Sequence, residues 1–341
     1  MMKTSKIVIA LAATVLITGG TVAGLLIWRN SSRRPIRPTV CDRTGRTLLA
    51  DRKKNAFTVP VRHAERGGIF ASALLGHTID RSGRRVGVCG VEYLIDRDGL
   101  KRDRLLLTLD AGVQQRCEAL MDRLPESAAL EYAYITVVDS DGALIAAAQR
   151  PAINLDDRGT VKVRAMVFMA STYVFPVPDE WMRLLGSASD ASPEHKSKLR
   201  FHRKLGIFPG EGRGSTSRSG AQSATALNFL LACAGRLENK DIPEFKMFVP
   251  DGSPLPALKV ADDFKWRSVR WSKDGSTFSA LGSVSAGNGK TLYVLLRVVF
   301  NGRHGINTDG ECRAGLEKAI RDFAGEAPSQ TKSDKKNRSE I

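Results

Sequence analysis

Apolar residues recur at two distinct spacings in the stretch Leu105–Pro151. Leu105–Asp110 predicts a short strand, and the next segment, Ala111–Leu124, has the helical spacing of one buried face. Its apolar positions are Val113, Cys117, Leu120, Met121 and Leu124. Tyr132–Val138 and Ala143–Ala148 then flank Asp139-Ser140-Asp141-Gly142, a strong turn signal that predicts a β-hairpin. The stretch therefore predicts a strand, a helix and a hairpin in that order.

The C-terminal third shows a similar alternation of signals. Phe278–Ser285 and Lys290–Phe300 alternate or run apolar across Asn288-Gly289, a dipeptide typical of tight hairpin turns. Cys312–Phe323 has Leu316, Ile320 and Phe323 on one face, which predicts a final helix. Upstream, Ala226–Leu237 predicts an apolar helix. Near the N-terminus, Val40–Asp51 predicts a hairpin around a Thr-Gly turn.

Residues Ile7–Trp28 form an uncharged run of 22 residues, which is long enough to cross a bilayer. A cleaved signal peptide is the alternative, but its apolar core would be shorter and would end at a small-residue cleavage site. The run ends in Leu25-Leu26-Ile27-Trp28 against Arg29, which favours an uncleaved anchor. Basic residues on both sides leave the orientation open. The polar tail from Ala327 onward predicts disorder.

Charge and cysteine content narrow the class of partner. The chain has 52 Lys and Arg against 36 Asp and Glu, a net charge of +16, so it attracts anions. It carries no recognisable nucleic-acid module, and we expect no nucleic-acid partner. The five cysteines show no CxxC spacing, so no metal and no cofactor are expected. Cys117 and Cys233 lie in apolar helical patterns and predict core residues, while a Cys41–Cys89 bridge stays open.

Several fragments, in order, resemble the class B penicillin-binding proteins. Val40–Asp51 resembles the "DRNG…LA" signature that begins the family's non-catalytic pedestal, and Gly87–Leu100 resembles its later Gly-x-x-Gly-x-Glu signature. Leu105–Pro151 resembles the opening of the transpeptidase domain. Two further pieces resemble the family's "GI-x-LPGE" and "GQG…TPLQ" segments: Gly206–Glu211 and Gly220–Ala226. Only 35 residues separate the two pedestal signatures, so the pedestal is trimmed.

The resemblance implies an α+β fold of the penicillin-binding protein and serine β-lactamase type. We expect an antiparallel five-stranded sheet flanked by helices, behind the reduced pedestal. The implied organisation is a cytoplasmic tip and transmembrane anchor (1–28), a linker and pedestal (29–104), a transpeptidase-like domain (105–326) and a disordered basic tail (327–341). It also implies a single-pass protein of the cytoplasmic membrane whose main domain is extracytoplasmic.

The family's chemistry needs a Ser-x-x-Lys motif, whose lysine takes the serine's proton. Ser171-Thr172-Tyr173-Val174 matches the position and the first three residue types of that motif, but Val174 cannot accept a proton. Pro176 and Pro178 also disfavour a long helix after Ser171. Ser171 is the candidate nucleophile, with a capping or buried serine as the alternative. The middle motif is interpreted as absent, with Ser187–Asp190 as its remaining candidate.

The third family motif, Lys-Thr-Gly, lines a wall of the substrate cleft. Its candidate here is Lys273, followed by the candidate substrate-binding residues Gly275, Ser276 and Thr277. Asp274 stands where a hydroxyl residue belongs, and an acid there would pair with the lysine and repel a carboxylate substrate. A common surface turn explains the same residues equally well.

The sequence thus leaves three functional hypotheses. The first is a cell-wall protein that has lost transpeptidase activity and acts as a scaffold or peptidoglycan binder. The second is an active D,D-transpeptidase in which Ser171 attacks the substrate and Lys273 serves as substitute base. The third is an unrelated basic, membrane-anchored binding module. Under the first two, the expected partners are peptidoglycan stem peptides or β-lactams, the membrane, and other membrane proteins of cell-wall synthesis.

Overall fold

A computed structural model describes most of the chain between residues 37 and 324. The described ranges are 37–52, 61–67, 70–76, 78–81, 84–87, 90–100, 102–124, 130–152, 174–178, 180–181, 223–238, 240–261, 264–272, 274–300 and 310–324. The predicted anchor Ile7–Trp28 and the tail from Ala327 lie outside them. Within these ranges, none of the helices combines the length and apolar character that crossing a bilayer requires.

The described residues form two main sheets, two further two-stranded sheets and five helices. The strands are β1 Thr39–Cys41, β2 Thr47–Arg52, β3 Val61–Ala64, β4 Thr78–Arg81, β5 Arg84–Gly87, β6 Arg104–Leu106, β7 Leu130–Asp139, β8 Leu144–Arg150, β9 Val174–Pro176, β10 Ser223–Thr225, β11 Lys265–Trp271, β12 Thr277–Ala286 and β13 Lys290–Phe300. The helices are α1 Ser72–Leu75, α2 Gly90–Arg97, α3 Ala111–Asp122, α4 Ala226–Arg236 and α5 Gly310–Ala324.

The large sheet has the order β11-β12-β13-β7-β8, and every neighbouring pair is antiparallel. Local turn chemistry builds its hairpins. Gly142, with φ +84°, closes the β7–β8 turn, and Gly289, with φ +70°, lies in the short 3₁₀ turn between β12 and β13. The predicted five-stranded antiparallel sheet is confirmed, as are its two predicted hairpins.

Helices cover both faces of this sheet. Helices α3 and α5 pack on one face, which we call the α5 face, where Leu120 and Leu316 belong to the same buried cluster as Phe278. Helix α4 packs on the other, the α4 face, where Phe229 belongs to a cluster with Leu295. The predicted helices Ala111–Leu124, Ala226–Leu237 and Cys312–Phe323 correspond to α3, α4 and α5. The architecture is therefore α+β, with the sheet between helical layers.

A smaller N-terminal sheet has the order β3-β2-β1-β6, in which β1 pairs with β2 antiparallel and with β6 parallel. Its apolar residues join the core of the α4 face, because Val40 and Leu105 lie in the same buried cluster as Leu295. The boundary expected at residues 104 and 105 falls inside β6. The small sheet and the large sheet therefore share continuous buried packing.

Three cysteines of the described residues are buried free thiols: Cys41, Cys117 and Cys233. Cys117 in α3 and Cys233 in α4 are core residues, as predicted, and burial raises the pKa of the Cys233 thiol to about 12. Cys41 in β1 is a free thiol, and its Sγ lies 3.5 Å from a guanidinium nitrogen of Arg104. The open possibility of a bridge from Cys41 is thus wrong for this structure; its suggested partner, Cys89, lies outside the described residues.

Candidate binding site on the edge strand

Strand β11 forms one edge of the large sheet, and its only strand neighbour among the described residues is β12. Two of its tryptophans face α5. Trp266 Nε1 donates a hydrogen bond to the carbonyl of Ile320 at 3.0 Å, and the Trp271 ring stacks on Phe300 with centroids 6.0 Å apart. The side chains of β11 that point away from the tryptophans therefore lie on the α4 face of the sheet.

A β-bulge changes the alternation of side chains along β11. Trp266 pairs with Gly282 and Ser268 pairs with Leu281, so Arg267 is an extra residue between them. Arg267 lies on the α4 face, where its Nε donates to Ser283 Oγ at 2.7 Å. An ordinary strand would place Arg267 and Ser268 on opposite faces. The bulge instead lets two consecutive polar residues share one face.

Register assigns the remaining polar side chains of β11 to the same face. Lys265 lies directly opposite Ser283, and Arg270 lies opposite Ser279. Directly opposed residues of an antiparallel pair share a face, and Ser283 is also opposite Tyr293, whose hydroxyl reaches Glu238 beyond α4 at 3.2 Å. Four polar residues of β11 thus line the α4 face. We call them the edge-strand cluster: Lys265, Arg267, Ser268 and Arg270.

The segment after β9 supplies the cluster with two partners. Trp181 Nε1 donates to Ser268 Oγ at 2.8 Å, and the carboxylate of Glu180 forms an ion pair with Arg270. Trp181 is fully buried and stacks on Phe229 of α4, with ring centroids 5.4 Å apart. A short piece of chain between β9 and β10 is therefore attached to both the edge strand and the helix.

The electrostatics of the cluster favour anions. Lys265 and Arg267 are exposed, and Glu180 is the carboxylate that pairs with the cluster within the described part of the chain. Three cations facing one acid leave an excess positive charge, which attracts carboxylates. The phenol of Tyr293 does not add a base, because burial and the neighbouring Glu238 raise its pKa far above neutrality. The arrangement can hold an anion.

The residues predicted for the third motif lie elsewhere, in the turn between β11 and β12. Gly275 has φ +71°, and Ser276 gives both its N–H and its hydroxyl to Asp274 Oδ1, at 3.1 and 2.8 Å. Hydrogen bonds from the Ser272 hydroxyl and from Ser276 lower the pKa of Asp274 to about 2. Thr277 begins β12. The hydrogen bonds of this turn are satisfied locally, and Lys273 lies outside the described residues.

The segment after the candidate nucleophile is extended. Ser171 itself lies outside the described residues, as does the middle-motif candidate Ser187–Asp190. Val174 begins β9, which pairs antiparallel with β10 through Val174 and Thr225. A Ser-x-x-Lys lysine lies one helical turn from its serine. The position three residues after Ser171 is here an apolar residue in a strand, as the two prolines suggested.

Sequence comparison does not identify the chain, because no family model and no curated protein matches it. Structural comparison does find relatives. The apo crystal structure of penicillin-binding protein 3 from Mycobacterium tuberculosis matches with a TM-score of 0.51 and 12% identity, over 85% of this chain and 95% of that chain. The chain has a penicillin-binding-protein fold. The aztreonam complex of the same protein matches with a TM-score of 0.46 and 13% identity, over the same shares of both chains.

The first residue of β11 is Lys265, which the sequence motifs did not indicate as a site residue. The available signal was the run of basic and hydroxyl residues between Lys265 and Arg270. The described residues hold no group of three or more His, Cys, Asp or Glu side chains able to bind a metal ion.

Proposed function

We propose that this chain is a cell-wall protein of the penicillin-binding-protein fold that binds peptidoglycan stem peptides without forming an acyl-enzyme. The observation that carries this proposal is Val174 at the start of β9. A serine hydroxyl is a weak nucleophile and becomes reactive when a neighbouring base takes its proton. Valine has no group that can accept a proton, so it cannot activate Ser171.

The edge-strand cluster supports the binding half of the proposal. An open strand edge offers backbone N–H and C=O groups to an extended peptide, and nearby side chains add specificity. Lys265 and Arg267 are exposed beside that edge, so a peptide carboxylate can form charge-assisted hydrogen bonds there. Stem peptides carry free carboxylates and match this chemistry. The scaffold would then bind the cell wall non-covalently.

The same proposal includes attachment to the cytoplasmic membrane through Ile7–Trp28, with the main domain outside the cytoplasm. The uncharged run of 22 residues supports the membrane attachment. The location of peptidoglycan outside the cytoplasm supports the placement of the main domain. Other membrane proteins of cell-wall synthesis would be the partners of such a scaffold. The tip before Ile7 would lie in the cytoplasm.

The first prediction concerns acylation. We expect the full-length chain to form no covalent adduct with a fluorescent penicillin, because the serine lacks its base. Intact-mass spectrometry and in-gel fluorescence would measure the adduct, with Ser171→Ala as the matched control. An adduct that forms on the parent chain and disappears in that variant would instead support the active D,D-transpeptidase, with Ser171 as its nucleophile.

The second prediction concerns binding. A fluorescein-labelled stem pentapeptide ending in D-Ala-D-Ala should bind the full-length chain, with an affinity that falls as salt is added. Lys265→Ala should weaken binding by about 3- to 10-fold, which corresponds to roughly 1 kcal/mol for one exposed charged contact. Fluorescence anisotropy would measure it, with Lys318→Ala on α5 as control. Absence of binding by a folded chain would contradict the proposal.

A further inference from the structure

Glu180 pairs with Arg270 of the edge-strand cluster in the way that a ligand carboxylate would. Its carboxylate pairs with Arg270, and the two side chains are 50% and 40% exposed. The next residue, Trp181, is fully buried and donates its indole hydrogen to Ser268. The dipeptide therefore brings a carboxylate and a hydrogen-bond donor to the strand on which we have placed the peptide site.

Trp181 is held more firmly than the side chain of Glu180. Trp181 is fixed by its stacking on Phe229 and by its hydrogen bond, so the backbone beside Arg270 has a defined position. Glu180 is held by one ion pair in which both side chains are exposed to water, and such exposed pairs contribute little stability. A ligand carboxylate can therefore displace the Glu180 side chain while Trp181 stays in place.

We propose that Glu180 is an internal competitor that occupies Arg270 in the free protein and is displaced by the carboxylate of a bound peptide. This inference rests on the proposed peptide-binding function, and it adds a self-blocking residue to that site. Arg270 is then a ligand-binding residue, and Glu180 lowers the affinity of the site for the peptide by competing for Arg270. The site then selects ligands with a free carboxylate. A neutral group cannot form an ion pair with Arg270, so it cannot displace the Glu180 carboxylate.

The test is a binding cycle on the full-length chain, with the labelled pentapeptide and its C-terminal carboxamide as probes. Glu180→Gln removes the competing charge and keeps the shape of the side chain. We expect it to bind the free-acid peptide about 2- to 5-fold more tightly, the range available from one exposed pair. The carboxamide should show no such gain. In an Arg270→Ala background, Glu180→Gln should have no effect, because the competed residue is gone.

Glu317→Gln is the matched control, because it removes a carboxylate from another exposed pair, that of Arg313 and Glu317 on α5. It should leave affinity unchanged. If the parent chain binds the peptide but Glu180→Gln binds no more tightly, the competitor is overturned while the proposed function stands. A gain that persists without Arg270 overturns it as well. If neither the parent chain nor Glu180→Gln binds either peptide, the proposed function fails and the competitor falls with it.

Discussion

Replacing Glu92 by alanine is expected to destabilise the folded chain by about 3–5 kcal/mol, the usual cost of removing one partner from a buried ion pair. Glu92 in α2 is 1% exposed. Its Oε1 accepts a hydrogen bond from Arg62 Nε at 2.7 Å, and its Oε2 lies 2.8 Å from Arg37 Nε without hydrogen-bond geometry. Both arginine side chains are only 8% exposed, so alanine would leave two buried cations without the carboxylate that they share, with Asp96 at 3.0 Å from Arg37 and Asp51 at 3.7 Å from Arg62 as their remaining partners.

Urea denaturation of the full-length chain, followed by circular dichroism, would measure this loss as a lower transition midpoint. Glu65→Ala is the appropriate control, because Glu65 pairs with Arg52, whose side chain is 62% exposed. That change should cost about 0–1 kcal/mol. A Glu92→Ala transition no lower than that of the control would contradict a stabilising role for Glu92 and imply that Asp96 and Asp51 are sufficient partners for the two arginines.

Local signals in the sequence predict the elements of this fold well. Asn288-Gly289 and the Asp139–Gly142 turn specify their hairpins, because glycine at positive φ and short polar side chains determine the turn geometry within a few residues. Helix α3 begins where Asp110 caps it, accepting from the N–H groups of Gly112 and Val113 at 2.9 and 3.1 Å. Such features depend on neighbours along the chain.

Features that depend on distant residues were not predictable from those signals. The second carboxylate oxygen of Asp110 accepts from the N–H of Leu258 at 2.7 Å, a residue far along the chain in the segment that leads to β11. Spacing and propensity contain no trace of this contact. The hydrogen bond connects the start of α3 to the segment that precedes β11. It forms because the folded sheet brings these two segments together.

The edge-strand cluster was not predictable from the sequence for a similar reason. Lys273 was chosen because Lys-Asp-Gly resembles a motif, yet the structure places Gly275 and Ser276 in a locally satisfied turn. The strand before it carries cations and tryptophans together, so its two faces cannot be separated by hydropathy. The bulge at Arg267 then brings Arg270 onto the α4 face, where Lys265 also lies. Only the pairing register with β12 shows which side chains share a surface.

Replacing Trp181 by alanine is expected to lower the free energy of unfolding by about 3–5 kcal/mol, the range typical of removing a large buried aromatic side chain. Trp181 is fully buried, stacks on Phe229 and donates to Ser268. Alanine would leave a cavity between α4 and the edge strand and an unfilled hydrogen-bond acceptor on β11. The attachment of the β9 segment to the candidate site would be lost with it.

Trp181→Phe separates the two contributions of this residue. Phenylalanine keeps an aromatic ring against Phe229 but cannot donate to Ser268, so we expect a loss of about 1–2 kcal/mol, for a smaller ring and one missing hydrogen bond. Urea denaturation gives both values, and hydrogen exchange at β11 reports the local effect. Exchange at β11 should rise in both variants, because each frees Ser268 from the β9 segment. If alanine costs no more than phenylalanine, packing of the ring on α4 does not hold this segment, and the hydrogen bond to the edge strand is then its principal attachment.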